Sequence, residues 1–188
     1  MTETRWLSAE EQQTWRSFLL AIRLLFAEFE RDVQRGAGMP LTYYEVLSVL
    51  SDAEGRTMRM SDLAVALQVS PSRISHAVSR LEGAGWIRRE LCPSDRRSWF
   101  SILTDEGFAA LEAAASWHVE SVREHLFDQL TPAQQDHLQD ISRSLLRHLS
   151  SADGTPRDDS AIASRIHGLL SASGTESDLD TDAPVSVA

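Results

Sequence analysis

The 188-residue sequence has no lysine and a single cysteine, Cys92. One cysteine excludes an internal disulfide bond and any structural zinc site built from several cysteines. No stretch approaches the roughly 18 consecutive apolar residues that a membrane-spanning helix needs. The first residues lack the basic region and apolar core of a secretion signal. These absences lead us to expect a protein of the reducing cytoplasm.

Catalytic and metal-binding signatures are absent as well. The sequence contains neither a glycine-rich phosphate-binding loop nor a GxSxG nucleophile turn. His118 and His125 are seven residues apart, or two helical turns, and this spacing is too long for the pair alone to chelate one ion. We therefore predict that the protein is not an enzyme, holds no metal ion and needs no cofactor.

Acidic residues outnumber basic residues by 28 to 18, which gives a net charge of −10. The positive charge is concentrated in residues 59–97, which contain seven arginines and four acids. The segments before and after this block are net negative. A local basic patch matters more for binding a polyanion than the total charge of the chain. The arginine-rich block is therefore the candidate nucleic-acid interface.

Long amphipathic helices are predicted in residues 9–35, 105–130 and 131–149. In the first of them, apolar residues recur at helical spacing, namely Trp15, Phe18, Leu19, Ile22, Phe26, Phe29 and Val33. Three further leucines lie outside this stripe, namely Leu20, Leu24 and Leu25. A helix that is apolar on more than one side is buried on more than one side. We therefore expect a partner subunit to cover it.

Shorter helices are predicted in the middle of the chain. Thr42 and Glu45 have the spacing of a capping box, so a second helix is predicted to begin there. Gly55 is the expected stop of this helix. A short helix over residues 61–68 and a turn follow.

The next helix has a two-sided pattern. Ser70 is a typical N-cap, and Pro71 occupies the first helical position, where its missing N–H costs nothing. One face is apolar and carries Ile74, Ala77, Val78 and Leu81. The other face carries Ser72, Arg73, Ser75, His76, Ser79 and Arg80. A helix with small polar groups and arginine on its outer face is typical of major-groove recognition, because arginine pairs bidentately with guanine.

Residues 86–91 and 98–103 are predicted to form two strands of a hairpin with a polar, charged tip. Arg96 and Arg97 at such a tip fit a narrow minor groove, where the negative potential is strongest. The first strand also contains Arg88 and Arg89. These arginines are expected to be charges at the edge of the strand or partners of Asp95.

Four motifs lie at spacings that resemble the signature of the MarR (multiple antibiotic resistance regulator) transcription factors. They are Arg80-Leu81-Glu82, Gly85-Trp86-Ile87, Asp95-Arg96-Arg97 and Leu103-Thr104-Asp105-Glu106-Gly107. The resemblance covers roughly residues 10–149. It implies a mainly α protein with a small β-hairpin wing, in which a winged helix-turn-helix occupies about residues 42–104. It also implies a dimerisation lobe built from helices at about 9–35 and 105–149, within one domain over residues 1–149.

The resemblance further implies a homodimeric regulator, most often a repressor, that binds a pseudo-palindromic operator in double-stranded DNA. Carried over residue by residue, the wing arginine that enters the minor groove is Arg97, and Asp95 orients it. The complete set of implied DNA contacts is Ser70, Ser72, Arg73, Ser75, His76, Arg80, Asp95, Arg96 and Arg97.

Members of this family commonly bind small, often aromatic or anionic effectors between the two lobes. The aromatic residues expected to line such a pocket here are Trp15, Phe18, Tyr43, Tyr44, Trp117 and His118.

Two alternatives remain open at this stage. One is a regulator switched by oxidation of Cys92, whose thiol pKa neighbouring arginines would lower. The other is a winged-helix protein–protein adaptor that does not bind DNA, and the acidic total charge favours this alternative.

Residues 150–188 are rich in Ser, Asp, Gly and Thr and contain no aromatic residue, so they are predicted to be a largely disordered acidic tail.

Overall fold

The computed structural model describes residues 4–92 and 95–151, without the side chains of residues 95–97 and 150–151. Within these ranges the helices are α1 (Ala9–Ala37), α2 (Leu41–Asp52), α3 (Met60–Ala66), α4 (Pro71–Gly83), α5 (Asp105–His125) and α6 (Pro132–Ser151). The strands are β1 (Thr57–Arg59), β2 (Ile87–Cys92) and β3 (Asp95–Leu103), and 3-10 turns occupy Glu54–Arg56 and Phe127–Gln129. This mainly helical architecture with a small sheet confirms the predicted fold class.

α1 is the longest of the described helices, and its first half is exposed. Ser8 and Glu11 form a reciprocal capping box at its start, and Gly38 ends it in the left-handed conformation with a φ of 70°. Only Phe29 and Val33, near its C-terminal end, are buried. Among the described residues, the first half of α1 is therefore left without a covering apolar partner.

α2 begins differently from the sequence prediction. It starts at Leu41 with Pro40 as its N-cap, and no side chain of the N-cap bonds to the helix. The carboxylate of Glu30 on α1 instead accepts the N–H of Leu41 at 3.0 Å. The predicted capping box of Thr42 and Glu45 is therefore wrong, because Thr42 already lies inside the first turn. A carboxylate from another helix thus satisfies the N–H of the first helical residue, which has no partner within the helix.

The sheet has three antiparallel strands in the order β1-β3-β2, whereas the sequence predicted two. β1 is only three residues long, too short to show alternation, and it follows Gly55, which lies in the 3-10 turn with a φ of 61°. β2 and β3 reach Cys92 and Asp95, so the hairpin strands extend further toward the tip than predicted. Residues 93–94, within the predicted tip, lie outside the described residues.

α5 is shorter than predicted. It ends at His125 instead of continuing to Leu130, because Leu126 leaves the helical region with φ −124° and ψ −70°. A 3-10 turn follows, and then Thr131 caps α6 by accepting the N–H of Gln134. The apolar spacing of Leu126 and Leu130 gives no sign of this break.

The core lies between the sheet and helices α2 to α5. Its largest fully buried side chains include Leu47, Leu50, Leu63, Ile74, Leu81, Ile87 and Leu111. Gly107 permits one close approach in this core, since a Cβ there would lie 2.0 Å from the carbonyl oxygen of Trp86. The first turn of α5 can therefore lie directly against the loop between α4 and β2.

No helix in the described ranges is both long enough and apolar enough to cross a membrane. The predicted acidic tail over residues 150–188 lies outside the described residues, apart from the last turn of α6.

Candidate nucleic-acid interface

α4 has the two faces that its sequence predicts. The Ser70 hydroxyl accepts the N–H of Arg73 at 3.4 Å, and Pro71 opens the helix. Its inward side chains are 3% exposed or less, namely Ile74, Ala77, Val78 and Leu81. The six residues of this helix region predicted to contact DNA are all exposed: Ser70, Ser72, Arg73, Ser75, His76 and Arg80. The helix is therefore anchored on one side and available for contact on the other.

The N-terminal half of α4 borders a cleft against the start of α2. Arg73 and His76 line it from one side, and Thr42 and Tyr43 line it from the other, around a volume of about 320 Å³. The Ser70 and Ser72 hydroxyls lie 3.1 Å apart at the same end of α4. Hydroxyl and guanidinium groups thus converge on one exposed surface, and both are common ligands of DNA phosphates and bases.

An ion pair joins the end of α4 to the wing. Nε of Arg89 on β2 donates to the Glu82 carboxylate at 2.8 Å, and its Nη2 contacts the same oxygen. These bonds from Arg89 hold the pKa of Glu82 below its usual value. The loop between the two elements turns at Gly85, whose φ is 78°.

The wing itself is the β2–β3 hairpin. Arg89 and Ser101 are opposite each other in the register, as are Cys92 and Asp95. Arg96 and Arg97 lie in β3 near its start, and their side chains, with that of Asp95, lie outside the described residues. Their roles in DNA contact therefore remain predictions.

The two strand arginines each pair with a glutamate, and because the Asp95 side chain lies outside the described residues, their predicted contact with Asp95 stays a prediction. Arg88 pairs with Glu90 on its own strand, and Arg89 pairs with Glu82. Glu82 lies in the RLE motif, so the motif supplies the structural partner of a wing residue.

Two of the six predicted effector-pocket aromatics contact each other. The rings of Tyr44 on α2 and His118 on α5 have centroids 4.5 Å apart. Phe29 of α1 lies edge-on to His118 at 5.9 Å, and Phe26 is edge-on to Phe29 at 6.0 Å. This aromatic cluster joins α1, α2 and α5, the junction at which a pocket between the lobes was expected.

The other four predicted residues lie elsewhere in the protomer. Trp117 packs against Gly36, where a Cβ would lie 2.2 Å from the indole ring. Tyr43 lines the cleft beside α4. Trp15 and Phe18 lie in the exposed first half of α1, and Phe18 is about 16 Å along the helix axis from Phe29. The structure of one protomer thus brings Tyr44 and His118 together, but not the whole set.

Two polar atoms in the aromatic cluster are buried without a hydrogen-bond partner among the described residues, namely the Tyr44 hydroxyl and Nδ1 of His118. Burial raises the pKa of Tyr44, and the negative charge of Asp52 adds to the rise. Burial lowers the pKa of His118. Both groups are therefore neutral near pH 7 and have unused hydrogen-bonding capacity.

A polar contact fastens α1 to α5 near this cluster. The Asp32 carboxylate accepts the Ser121 hydroxyl at 2.8 Å and lies 2.8 Å from Nε2 of His125. Arg35 approaches the other carboxylate oxygen at 3.5 Å. The hydrogen bonds from Ser121 and His125 lower the pKa of Asp32. Asp32 was not anticipated, since its partners are about 90 residues away in sequence.

Across residues 4–92 and 95–151, no three His, Cys, Asp or Glu side chains group closely enough to hold a metal ion. His118 lies among aromatic rings and His125 binds Asp32, so the two histidines have separate environments.

The Cys92 side chain is 2% exposed. A buried thiol lacks the access that a redox sensor requires.

Large apolar side chains remain exposed along α1 and α6. They are Trp15, Phe18, Leu20, Leu24 and Phe26 on α1 and Ile141, Leu145 and Leu149 on α6, each between 42% and 67% exposed. Exposed apolar surfaces of this extent mark interaction sites.

Comparison with known proteins identifies the family. Residues 37–98 match the family model described as MarR family. The chain is also similar to a MarR family transcriptional regulator from Streptomyces coelicolor that was crystallised in complex with DNA. The identity is 48% and the TM-score 0.73, over 82% of this chain and 97% of that one. The chain belongs to the MarR family.

Two further relatives agree with this assignment. AbsC, another MarR family regulator from Streptomyces coelicolor, is 44% identical with a TM-score of 0.70, over 78% of this chain and 99% of AbsC. The HTH-type transcriptional regulator PecS of Dickeya dadantii is 35% identical over 89 residues. That match spans 47% of this chain and only 53% of PecS. All three relatives are transcriptional regulators, in agreement with the prediction that the protein is not an enzyme.

Proposed function

We propose that this MarR family protein is a homodimeric regulator that binds a pseudo-palindromic site in double-stranded DNA and acts as a repressor. One observation carries the proposal. α4 buries a continuous apolar face and presents Arg73, His76 and Arg80 to solvent. The major groove accepts one such helix, and its arginines supply both base and phosphate contacts.

Each predicted contact then has a distinct role. Arg73, near the start of α4, reads a base edge, with Ser72, Ser75 and His76 beside it. Ser70 and Arg80, at the two ends of the helix, contact phosphates. On the wing, Arg97 enters the adjacent minor groove, Asp95 orients it, and Arg96 binds the backbone.

A second copy of the chain is the proposed cover for the exposed apolar faces of α1 and α6. Within the part of the chain that the structure describes, these faces are exposed over most of their length. A twofold dimer built on them would place two α4 helices about one DNA turn apart, roughly 34 Å.

We further propose that a small aromatic or anionic effector binds at the aromatic cluster of Phe29, Tyr44 and His118 and releases the DNA. The buried Tyr44 hydroxyl and His118 Nδ1 support a polar ligand there, since each would gain a hydrogen bond. An effector that binds better to a dimer with displaced α4 helices weakens DNA binding by its difference in affinity for the two states.

Dimerisation and DNA binding can be tested together. Ile141→Glu places a charge on the exposed apolar face of α6, and Gln139→Glu places the same charge at an exposed polar position of that helix. Light scattering should give about twice 20.9 kDa for the parent and the control, and about 20.9 kDa for Ile141→Glu. The monomeric variant should lose DNA affinity in anisotropy titrations. An Ile141→Glu protein that stays dimeric and binds DNA as the parent does would contradict the proposed interface.

A further inference from the structure

The wing carries a pair of large apolar side chains that are exposed. Leu91 on β2 and Trp99 on β3 are opposite each other in the register. They are 48% and 43% exposed. Large apolar side chains that are this exposed, on a hairpin next to an arginine-rich tip, indicate an interaction site.

The pair continues the buried face of the sheet beyond the core. Ile87 and Leu103 are opposite each other at the base of the hairpin and are 2% and 5% exposed. Side chains two and four residues along a strand share one face, so Leu91 and Trp99 lie on the same face as this buried pair. We call Leu91 and Trp99 the wing pad.

The wing pad lies on the side of the sheet that faces α4. Arg89, between Ile87 and Leu91 on β2, donates to Glu82 in the last turns of α4. The guanidinium carbon of Arg89 also lies 5.8 Å from the centre of the Trp99 ring. Glu82, Arg89 and Trp99 therefore form one connected row from the end of α4 to the wing pad.

We propose that the wing pad packs against deoxyribose units of the DNA strand that separates the major groove under α4 from the minor groove under the wing. The inference rests on the proposed DNA-binding function. The pad lies between the two predicted contact elements, two residues from Arg97 in β3 and in contact with the arginine that binds the end of α4. The deoxyribose rings are the apolar part of the DNA backbone, so apolar side chains can pack against them. The positive net charge of residues 59–97 attracts the phosphates.

Trp99 is its own reporter for this contact. Acrylamide quenching of the parent protein and of Trp99→Phe isolates the Trp99 fluorescence as the difference between the two. A mixed-sequence duplex of about 30 base pairs at low ionic strength is a sufficient probe, because a sugar contact does not depend on base sequence. We expect Trp99 to lose most of its accessibility to acrylamide when this duplex is added.

Affinity measurements give a second readout. Trp99→Ala and Leu91→Ala should each weaken binding by up to about tenfold, as expected for a half-exposed side chain that becomes buried. The slope of log affinity against log salt should stay at the parent value, because neither side chain carries charge. An Arg97→Ala protein should lower that slope, so the two kinds of contact are distinguishable.

Trp117→Phe is the matched control, since Trp117 is 51% exposed on α5, away from the wing. The Trp117 fluorescence, isolated as the difference between the parent and Trp117→Phe, should be equally accessible to acrylamide with and without DNA.

If the parent binds the duplex and Trp99 remains as accessible to acrylamide as before, the wing pad only stabilises the hairpin and the inference is wrong. If Trp99 is protected before DNA is added, in proportion to protein concentration, a second protein copy occupies the pad and the inference is also wrong. A parent that does not bind DNA under any condition contradicts the proposed function itself.

Discussion

Arg89 on the first wing strand donates its Nε–H to the carboxylate of Glu82 on α4 across 2.8 Å. Seven residues and one tight turn at Gly85 separate the two. The bond therefore fixes the angle between the helix that we propose reads the major groove and the wing that we propose reaches the minor groove. Setting that angle beforehand favours binding through both contacts, because free adjustment would cost entropy on binding.

Breaking the ion pair between Glu82 and Arg89 should loosen the attachment of the wing to α4. Arg89→Met keeps the aliphatic stem and removes the charge, and Glu82→Gln removes the other partner. Because both side chains are about a third exposed, we expect each change to lower the free energy of unfolding by no more than about 1 kcal/mol. A double-mutant cycle in urea should show that the two losses are not additive. Arg88→Met is the control, since Arg88 pairs with exposed Glu90 on its own strand; fully additive losses would show that Glu82 and Arg89 do not interact.

Gly107 should tolerate no side chain. Alanine there would place a Cβ 2.0 Å from the carbonyl oxygen of Trp86, and backbone cannot move away cheaply. We expect Gly107→Ala to lower the free energy of unfolding by roughly 3 kcal/mol or more. Gly83→Ala is a matched control at the end of α4, where a Cβ would meet no atom within 4 Å. Thermal melts should show a large loss for the first and little change for the second; equal melting temperatures would contradict this packing.

The Asp32 contact should make stability depend on acid pH. Hydrogen bonds from Ser121 and His125 lower the pKa of Asp32 in the folded protein. A carboxyl whose folded pKa is lowered adds stability above its unfolded pKa, near 3.9, and this contribution disappears as the pH falls through the folded value. Asp32→Asn should therefore lower the melting temperature at pH 7, and the difference from the parent should shrink toward pH 3. A difference that is constant with pH would show that the Asp32 charge adds nothing.

Replacing each of two proposed DNA-contact arginines by alanine should change DNA binding in a different way. Arg73→Ala should weaken binding to the preferred site by about 1–3 kcal/mol and relax the sequence preference, as expected for a base contact. Arg97→Ala should weaken binding to all sequences alike and reduce the salt slope by about one unit. Arg123→Ala, an exposed arginine on α5 paired with Asp128, is the control and should change neither. The assignment fails if Arg73→Ala lowers affinity equally for every sequence.

The elements with strong local signals could be predicted from sequence. α4 has an N-cap, a first-turn proline and a clean apolar face, all within 14 residues, and the structure reproduces each of them. Ser8 and Thr104 are also local side-chain caps, at the starts of α1 and α5. At the start of α2 the local signal of Thr42 and Glu45 failed, and the helix begins at Leu41, whose N–H the distant carboxylate of Glu30 accepts.

Other features depend on contacts that have no sequence signal. β1 is three residues long and exists because β3 offers it an edge. Leu126 breaks α5 although the apolar spacing continues through Leu130. Trp117 and His118 are neighbours on α5 and point about 100° apart, so one packs on Gly36 while the other meets Tyr44. That angle follows from helical periodicity and could have been read from the sequence, but the partners Gly36 and Tyr44 could not.

If α4 and the wing act as proposed, the protein recognises a specific DNA sequence. The most direct test is to capture sheared genomic DNA from the source organism with the purified protein, at about 150 mM salt with competitor DNA, and to sequence what is retained. We expect enrichment of a pseudo-palindrome whose half-sites are about one helical turn apart, near a promoter. Retention of no sequence above background, with only salt-sensitive binding to all fragments, would contradict specific recognition and favour the protein–protein adaptor.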